Sequence, residues 1–250
     1  RLLVLAEQGL GDTLQFARYL KLLRARGAEP VLECAPALVP LLGQLAPCVA
    51  RGTPLPAHDL WIDQMSLPGR FATTPDNVPL AEGYLRPDPA RRRSWERLLP
   101  RGRRIGLVWA GNPAHEDDRR RSLPRAALAR LRPPPGAAFV SLQVGPRARE
   151  SLELPGTVDL SGLLTDWAET AAALSCLDLL LCVDTSAAHC AGALGVPVWL
   201  MLPYAPDWRW LPGRDDTPWY RATRLFRQPA PGDWESVLAA VGTAWGEGAG

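Results

Sequence analysis

The chain is poor in lysine: Lys21 is the only one, and almost all of its basic charge is arginine. Its formal net charge is only +2. So balanced a surface offers no field to hold a polyanion, and nucleic-acid binding is excluded as the expected function. No apolar run approaches the roughly 20 residues of a membrane span, so no transmembrane segment is expected. There is no signal-peptide pattern, and the first residue is Arg1 rather than Met, as expected of a piece of a longer protein. The five cysteines, Cys34, Cys48, Cys176, Cys182 and Cys190, form no CxxC pair. The last three fall in apolar stretches where reduced cysteine packs as a small hydrophobe. That pattern points to a reducing cytoplasm, and away from zinc sites and a disulfide framework.

What is present is ordinary globular material, 47% hydrophobic and 22% charged over 250 residues, enough for one large domain or two small ones. The most informative stretch is Leu179–Leu202, LLLCVDTSAAHCAGALGVPVWLML. Two short apolar runs flank a helix-length segment closed by Gly195, which predicts a strand-helix-strand unit of a parallel sheet. The turn reads Asp184-Thr185-Ser186-Ala187-Ala188-His189. A helix starting there aims unpaired backbone N–H groups and a partial positive charge past the end of the strand, a ready seat for phosphate. Thr185 and Ser186 add hydroxyls, and His189 lies on the face of Thr185. The plainer alternative is a capped helix with a core histidine.

The first strand, Leu2–Ala6, runs into Gly9-Leu10-Gly11-Asp12 and a helical segment reaching about Arg26. This is the opening of a Rossmann-like unit, but the third glycine of GxGxxG is missing, which excludes a dinucleotide fingerprint. Gly9 and Gly11 permit a tight turn and close approach of a ligand. Asp12 then stands at the helix start, either as a cap or facing the cleft. Further strands are expected at Pro30–Cys34, Cys48–Ala50 and His58–Ile62. Residues 89–103 read as a linker between a domain of residues 1–88 and one of residues 104–232. In the second domain, strand Arg104–Trp109 leads to Asn112, and strand Ala137–Leu142 leads to Gln143. Ser122 is expected to cap a helix reaching about Leu131. Glu116-Asp117-Asp118 beside Arg119-Arg120-Arg121 reads as internal ion pairs, not a metal site. Pro203–Arg227 is a long aromatic loop, either packed over the sheet edge or forming a lid or base-binding wall. Residues 233–246 form an amphipathic helix, and the tail after Gly246 is expected to be disordered.

Six ordered stretches carry a resemblance: AEQGLGDTLQFARYL, GLVWAGNPAHEDDRRRSLP, FVSLQVG, LDLLLCVDTSAAHCAGALGVPVWLMLP, YAPDWRW and TPWYRATRLFRQ. Together they resemble the carboxy-terminal glycosyltransferase-like domain of bacterial tetratricopeptide-repeat proteins. That domain is similar to glycosyltransferase family 9, the lipopolysaccharide heptosyltransferases. The resemblance implies an α/β fold of GT-B architecture, two small Rossmann-like domains facing across a cleft, with the last helix crossing back to the first domain. It implies inverting, metal-independent sugar transfer from a nucleotide-sugar donor, with no cofactor beyond that co-substrate. Asp12 takes the family's general-base position. Asp184, Thr185, Ser186 and His189 stand at its D-T-G-x-x-H diphosphate turn. Trp109, Asn112, Ser141 and Gln143 line the donor pocket.

Two departures stand out. Ser186 replaces the family's glycine. The phosphate-side lysine is absent from the second domain, so Arg119 or Arg121 must serve in its place. The resemblance further implies upstream tetratricopeptide repeats, a cytoplasmic or peripheral inner-membrane location, and an acceptor that is a glycan, a lipid-linked sugar or a protein. Two rivals remain at this point: a degenerate nucleotide-sugar-binding module or scaffold, and a GT-B nucleotide-sugar epimerase.

Overall fold

A computed structural model describes residues 1–247; of the tail expected to be disordered after Gly246, Glu247 instead ends the last helix, and residues 248–250 lie outside the described residues. β1 (Leu2–Leu5), β2 (Pro30–Cys34), β3 (Cys48–Ala50) and β4 (Leu60–Asp63) form a four-stranded sheet in the order β3-β2-β1-β4. All its pairs are parallel. A second sheet of six strands contains β5 (Arg103–Val108), β6 (Ala137–Ser141), β7 (Val158–Asp159), β8 (Leu179–Val183), β9 (Val198–Leu202) and β10 (Thr223–Arg227). Its order is β10-β9-β8-β5-β6-β7, again parallel throughout. From β5 the chain winds outward through β6 and β7, and from β8 it winds the other way. The gap between the ends of β5 and β8 is therefore the topological switch point, where open α/β sheets hold their ligands.

β8 is buried at every position because helices cover both of its faces, which is why it reads as an unbroken apolar run. The helix Ser186–Leu194 follows it and ends at Gly195, whose φ of +75° makes the left-handed stop. The first helical segment divides into Leu10–Phe16 and Arg18–Ala25, separated at Ala17. One buried apolar cluster joins the domains, taking Leu14, Phe16 and Leu20 from the first and Ala188, Cys190 and Ala191 from the second.

Three expectations need correction. The last helix, Trp234–Glu247, does not cross back to the first domain. Its apolar side, Trp234, Val237, Val241 and Ala244, is buried in a cluster with Ile105, Leu107, Leu181 and Met201 on the outer face of the second sheet. Trp245 stacks on Trp199 of β9 with centroids 4.3 Å apart. The stretch Pro203–Arg227 is not a loop throughout, since it ends in the edge strand β10. Ser122 does not open a helix; it closes the short helix Asp118–Arg121, and a separate helix spans Arg125–Leu128. The short helix that Trp95, Leu98 and Leu99 suggest within residues 89–103 is Pro89–Leu98, capped by Asp88, whose Oδ1 accepts the Arg91 N–H at 2.8 Å. It lies on the helix Trp167–Leu174, where Arg91 bridges Asp166 and Glu169 and Trp95 Nε1 donates to Glu169 at 2.7 Å. No described helix is long and apolar enough to cross a membrane.

Candidate active site

The site begins where two helix starts meet. The Leu10–Phe16 helix of the first domain packs on the Ser186–Leu194 helix of the second. A Cβ on Gly11 would come within 2.8 Å of His189 Cδ2, so glycine at this position allows the contact. Gly11 thus serves the seam between the domains.

Asp12 lies inside its helix rather than at the cap, and its two oxygens have separate tasks. Oδ2 accepts the Gly9 N–H at 3.0 Å, reaching back over the helix start. Oδ1 pairs with Nη2 of Arg209 from the opposite domain. Arg209 is 8% exposed. Its Nε donates to Gln15 Oε1 at 2.8 Å and its Nη1 to Asp207 Oδ1 at 2.9 Å, so this one guanidinium ties three side chains together across the cleft.

On the second domain, Thr185 is extended ahead of the helix and makes no side-chain cap. Its Oγ1 is buried and has no hydrogen-bond partner among the described residues. Asp184 accepts the Trp210 Nε1 hydrogen at 2.8 Å, and burial raises its carboxyl pKa despite that bond. His189 stacks on Trp210, and its Nδ1 shares a hydrogen with the Tyr220 hydroxyl at 2.9 Å. Burial, reinforced by Arg209, Arg18 and Arg121, lowers its pKa to about 3. The imidazole is therefore neutral near pH 7 and contributes no positive charge to the site.

Past the end of β5 the chain is clamped by Gln143. Its Oε1 accepts the N–H groups of Trp109 and Ala110, and its Nε2 donates to the carbonyls of Ala110 and Val144. At Gly111 a Cβ would lie 2.6 Å from Arg121 Nη2, so the guanidinium rests directly over the backbone. Arg121 is steadied there by Asp118, whose Oδ1 also accepts the Ser122 hydroxyl at 3.1 Å.

Two adjoining cavities result. One of about 430 Å³ is mainly apolar; Leu10, Ala37, Val108, Leu142 and Trp167 line it, with Gln143 at one side. The other, about 520 Å³, is polar and holds Gly9, Gly11, Asp12, Arg121, Asp184, His189 and Arg209. Asn112, Thr185 and Ser186 line both. Three expected residues stand apart. Trp109 is in the core with its Nε1 on Glu150, Ser141 is buried beneath the sheet end, and exposed Arg119 lines neither cavity. Gly111, within the strand end Trp109–Asn112 expected at the donor pocket, does line both cavities, whereas the residues that sequence reasoning missed are Met65, Asp207 and above all Arg209. The run Asp207-Trp208-Arg209-Trp210 offered a signal, an arginine set between tryptophans in an overlong loop, but not the partner it would meet.

Compared with known proteins, the chain is 30% identical to Protein FlbA of Caulobacter vibrioides over 278 aligned positions, which cover 98% of the chain and 46% of that protein. The chain thus spans about half the length of this curated relative. No family model matches. Among solved structures, E. coli ADP-heptose lipopolysaccharide heptosyltransferase II superposes with a TM-score of 0.65 at 12% identity, covering 100% of both chains. A family 9 glycosyl transferase from Veillonella parvula gives 0.64 at 13%, over 99% of this chain and 97% of the other. E. coli heptosyltransferase WaaC with ADP-2-deoxy-2-fluoro heptose gives 0.57 at 14%, over 100% of both. At such identities the likeness is one of architecture: two parallel Rossmann-like sheets with the GT-B fold of these heptosyltransferases.

Proposed function

We propose that this chain is an inverting, metal-independent glycosyltransferase that takes its sugar from a nucleoside-diphosphate donor. The nucleoside enters the apolar cavity. The diphosphate sits at the start of the Ser186–Leu194 helix, and the sugar occupies the polar cavity facing Asp12. One of the similarly folded structures, WaaC, is described with an ADP-linked sugar analogue. The acceptor hydroxyl oxygen bonds to the anomeric carbon as that carbon's bond to the phosphate oxygen breaks. The hydroxyl proton passes to Asp12, and the nucleoside diphosphate leaves. A positioned general base contributes about 100- to 10,000-fold. Charge growing on the leaving phosphate is met by the helix start and Arg121, fixed dipoles and charge of the kind that supply the largest catalytic term in many enzymes.

The observation carrying this reading is the buried, unpartnered Thr185 hydroxyl at the junction of the two cavities. A buried hydroxyl without a partner is costly unless a ligand supplies one. The test is a thermal-shift screen with ADP-, GDP- and UDP-sugars, followed by product analysis in EDTA. A bound donor raises the melting temperature. Asp12→Ala is expected to retain that shift and lose transfer by at least 100-fold. If no nucleotide sugar raises the melting temperature, the reading fails. The Asp12–Arg209 pair favours a second reading, a binding module whose carboxylate is permanently engaged. In that case the donor binds, and the wild type turns over no faster than Asp12→Ala.

A further inference from the structure

The short turn Asp207–Leu211 reaches two carboxylates of the polar cavity, one from each domain. Asp207 Oδ1 accepts the backbone N–H of Arg209 at 2.9 Å and also its Nη1 at 2.9 Å, so the arginine side chain is bent back over its own turn. From there its Nη2 meets Asp12 of the first domain. The next residue, Trp210, donates to Asp184 of the second domain at 2.8 Å. Leu211 then holds a left-handed φ of +47°, a strained conformation for a branched side chain. Arg227 Nη2 fixes it there by donating to the carbonyls of Trp210 and Leu211 at 2.5 and 2.6 Å.

The guanidinium of Arg209 is held more closely than an ion pair requires. Its carbon lies 4.6 Å from the centroid of the Trp208 ring and 5.7 Å from that of Phe16. Gln15, at 0% exposure, turns its oxygen to Arg209 Nε at 2.8 Å. That choice leaves Gln15 Nε2 buried with no partner among the described residues. The reverse orientation would set two donors face to face. A buried amide is thus left unpaired, which is unfavourable, and what is gained is a guanidinium fixed in place. Local costs of this kind gather at functional sites.

We infer that Arg209 is the positioning residue of Asp12, and that Asp207 makes this positioning compatible with proton transfer. The assignment rests on the transferase reading above and extends it to the residues around the base. A carboxylate offers about four lone-pair sites. The Gly9 N–H takes one on Oδ2 and Arg209 takes one on Oδ1. With both oxygens tethered the group is held against rotation, and its remaining sites are left to the polar cavity that Asp12 lines. A general base must meet its proton at about 2.6–3.2 Å, so a fixed direction serves the reaction. In the step itself the acceptor oxygen bonds to the anomeric carbon and that carbon's bond to the phosphate oxygen breaks. The hydroxyl proton goes to Asp12, and Arg209 exchanges neither proton nor electron pair. Asp12 loses its charge in that step. A buried arginine with no other counterion would then be stranded, at a large cost. Asp207 remains on Nη1 and keeps the guanidinium paired.

The test uses the whole chain with ADP-glucose, GDP-mannose and UDP-glucose in turn, water as the acceptor, and release of nucleoside diphosphate as the reading. Donor affinity is measured separately by calorimetry. Arg209→Gln is expected to lower kcat at least tenfold, with KM and calorimetric affinity for the donor within twofold of the wild type. Asp207→Asn keeps the shape and the accepting oxygen but removes the negative charge, and is expected to lower kcat about tenfold in the same way. In an Asp12→Ala background neither change is expected to lower the residual rate further, because both act through that carboxylate. With an active wild type, the inference alone is overturned if either variant keeps its kcat, if the loss falls on KM or donor affinity, or if the losses add to that of Asp12→Ala. A wild type that releases no nucleoside diphosphate from any of the three donors overturns the transferase reading and this inference together.

Discussion

At the scale of single residues, His189 shows how a motif position can change its physical task. A histidine in a helix-start turn invites the role of a cation, yet here it is sealed between the domains against Trp210 and Tyr220. Burial, with the charges of Arg209, Arg18 and Arg121, holds its folded pKa at about 3. An unfolded histidine titrates near 6.5. Between those values the unfolded chain binds a proton that the native state refuses. The contribution to stability is therefore complete above about pH 6.5 and is lost as the pH falls toward 3, at about 1.4 kcal/mol per unit. His189→Gln keeps a polar group against Tyr220 but removes the titration. Urea unfolding at about pH 6.5 and about pH 5 is expected to show the wild type losing about 2 kcal/mol more than the variant. Equal losses would mean that the ring is protonated in the folded state.

At the scale of elements, the helix start after β8 combines an aligned backbone dipole with a hydroxyl that has no partner among the described residues. Thr185→Val replaces that hydroxyl with a methyl of the same shape. No intramolecular bond is lost, so stability is expected to stay level or rise by up to about 1 kcal/mol in a denaturant melt, because a buried unpaired group disappears. Affinity for ADP, read by calorimetry, is expected to fall about tenfold, the worth of one hydrogen bond to a charged oxygen. A drop in stability with unchanged affinity would make Thr185 a structural residue. How far such elements are legible in the sequence depends on where they sit. β8 and β9 are central strands with covered faces, so their apolar runs announce them, and the glycine turn after β1 is equally plain. Among the described residues β10 pairs only with β9, at the sheet edge, and Thr223-Arg224-Leu225-Phe226-Arg227 mixes exposed and buried positions too closely to stand out. The last helix shows an apolar stripe in sequence, but a stripe states that a partner exists without saying which sheet supplies it. Arg209 escaped for the same reason: its neighbours Gln15 and Asp12 are nearly 200 positions away in the chain.

At the scale of the whole molecule, Arg18 joins the two halves beside the cleft. This arginine is fully buried, at 0% exposure. Its partners are carbonyls and rings, and the described residues place no carboxylate on it. Nε, Nη1 and Nη2 donate to the carbonyls of Gln15, Pro79 and Trp219 at 2.9, 3.0 and 3.0 Å. The guanidinium also lies over the rings of Tyr84, Tyr220 and Trp219 at 4.9, 5.0 and 5.3 Å. Withdrawing a charge from water is unfavourable by several kcal/mol, and only this closed set of acceptors and π faces offsets it. The partners belong to both halves, with Gln15 and Pro79 in the first and Trp219 and Tyr220 in the second. Nearby, Tyr84 donates its hydroxyl to Leu14 O at 2.6 Å, and its N–H goes to Ala193 O at 2.7 Å, stitching the same seam. The domains are thereby bound into one cooperative unit, and the wild type is expected to unfold in a single calorimetric transition. Arg18→Met keeps much of the volume and removes the charge, but it takes the guanidinium bonds from the buried Trp219 carbonyl and the half-buried Pro79 carbonyl, while the Gln15 carbonyl keeps the Tyr84 hydroxyl at 3.0 Å. The net loss is expected to be about 3 kcal/mol, since three charged bonds go while the cost of burying the ion is relieved. Because every lost bond lies at or beside the seam, the variant is also expected to unfold in two steps. The six-stranded half, which keeps its own outer core around the last helix, should melt second. A variant that still melts once, at the wild-type temperature, would show that the apolar contact between the two helix starts holds the cleft without the arginine.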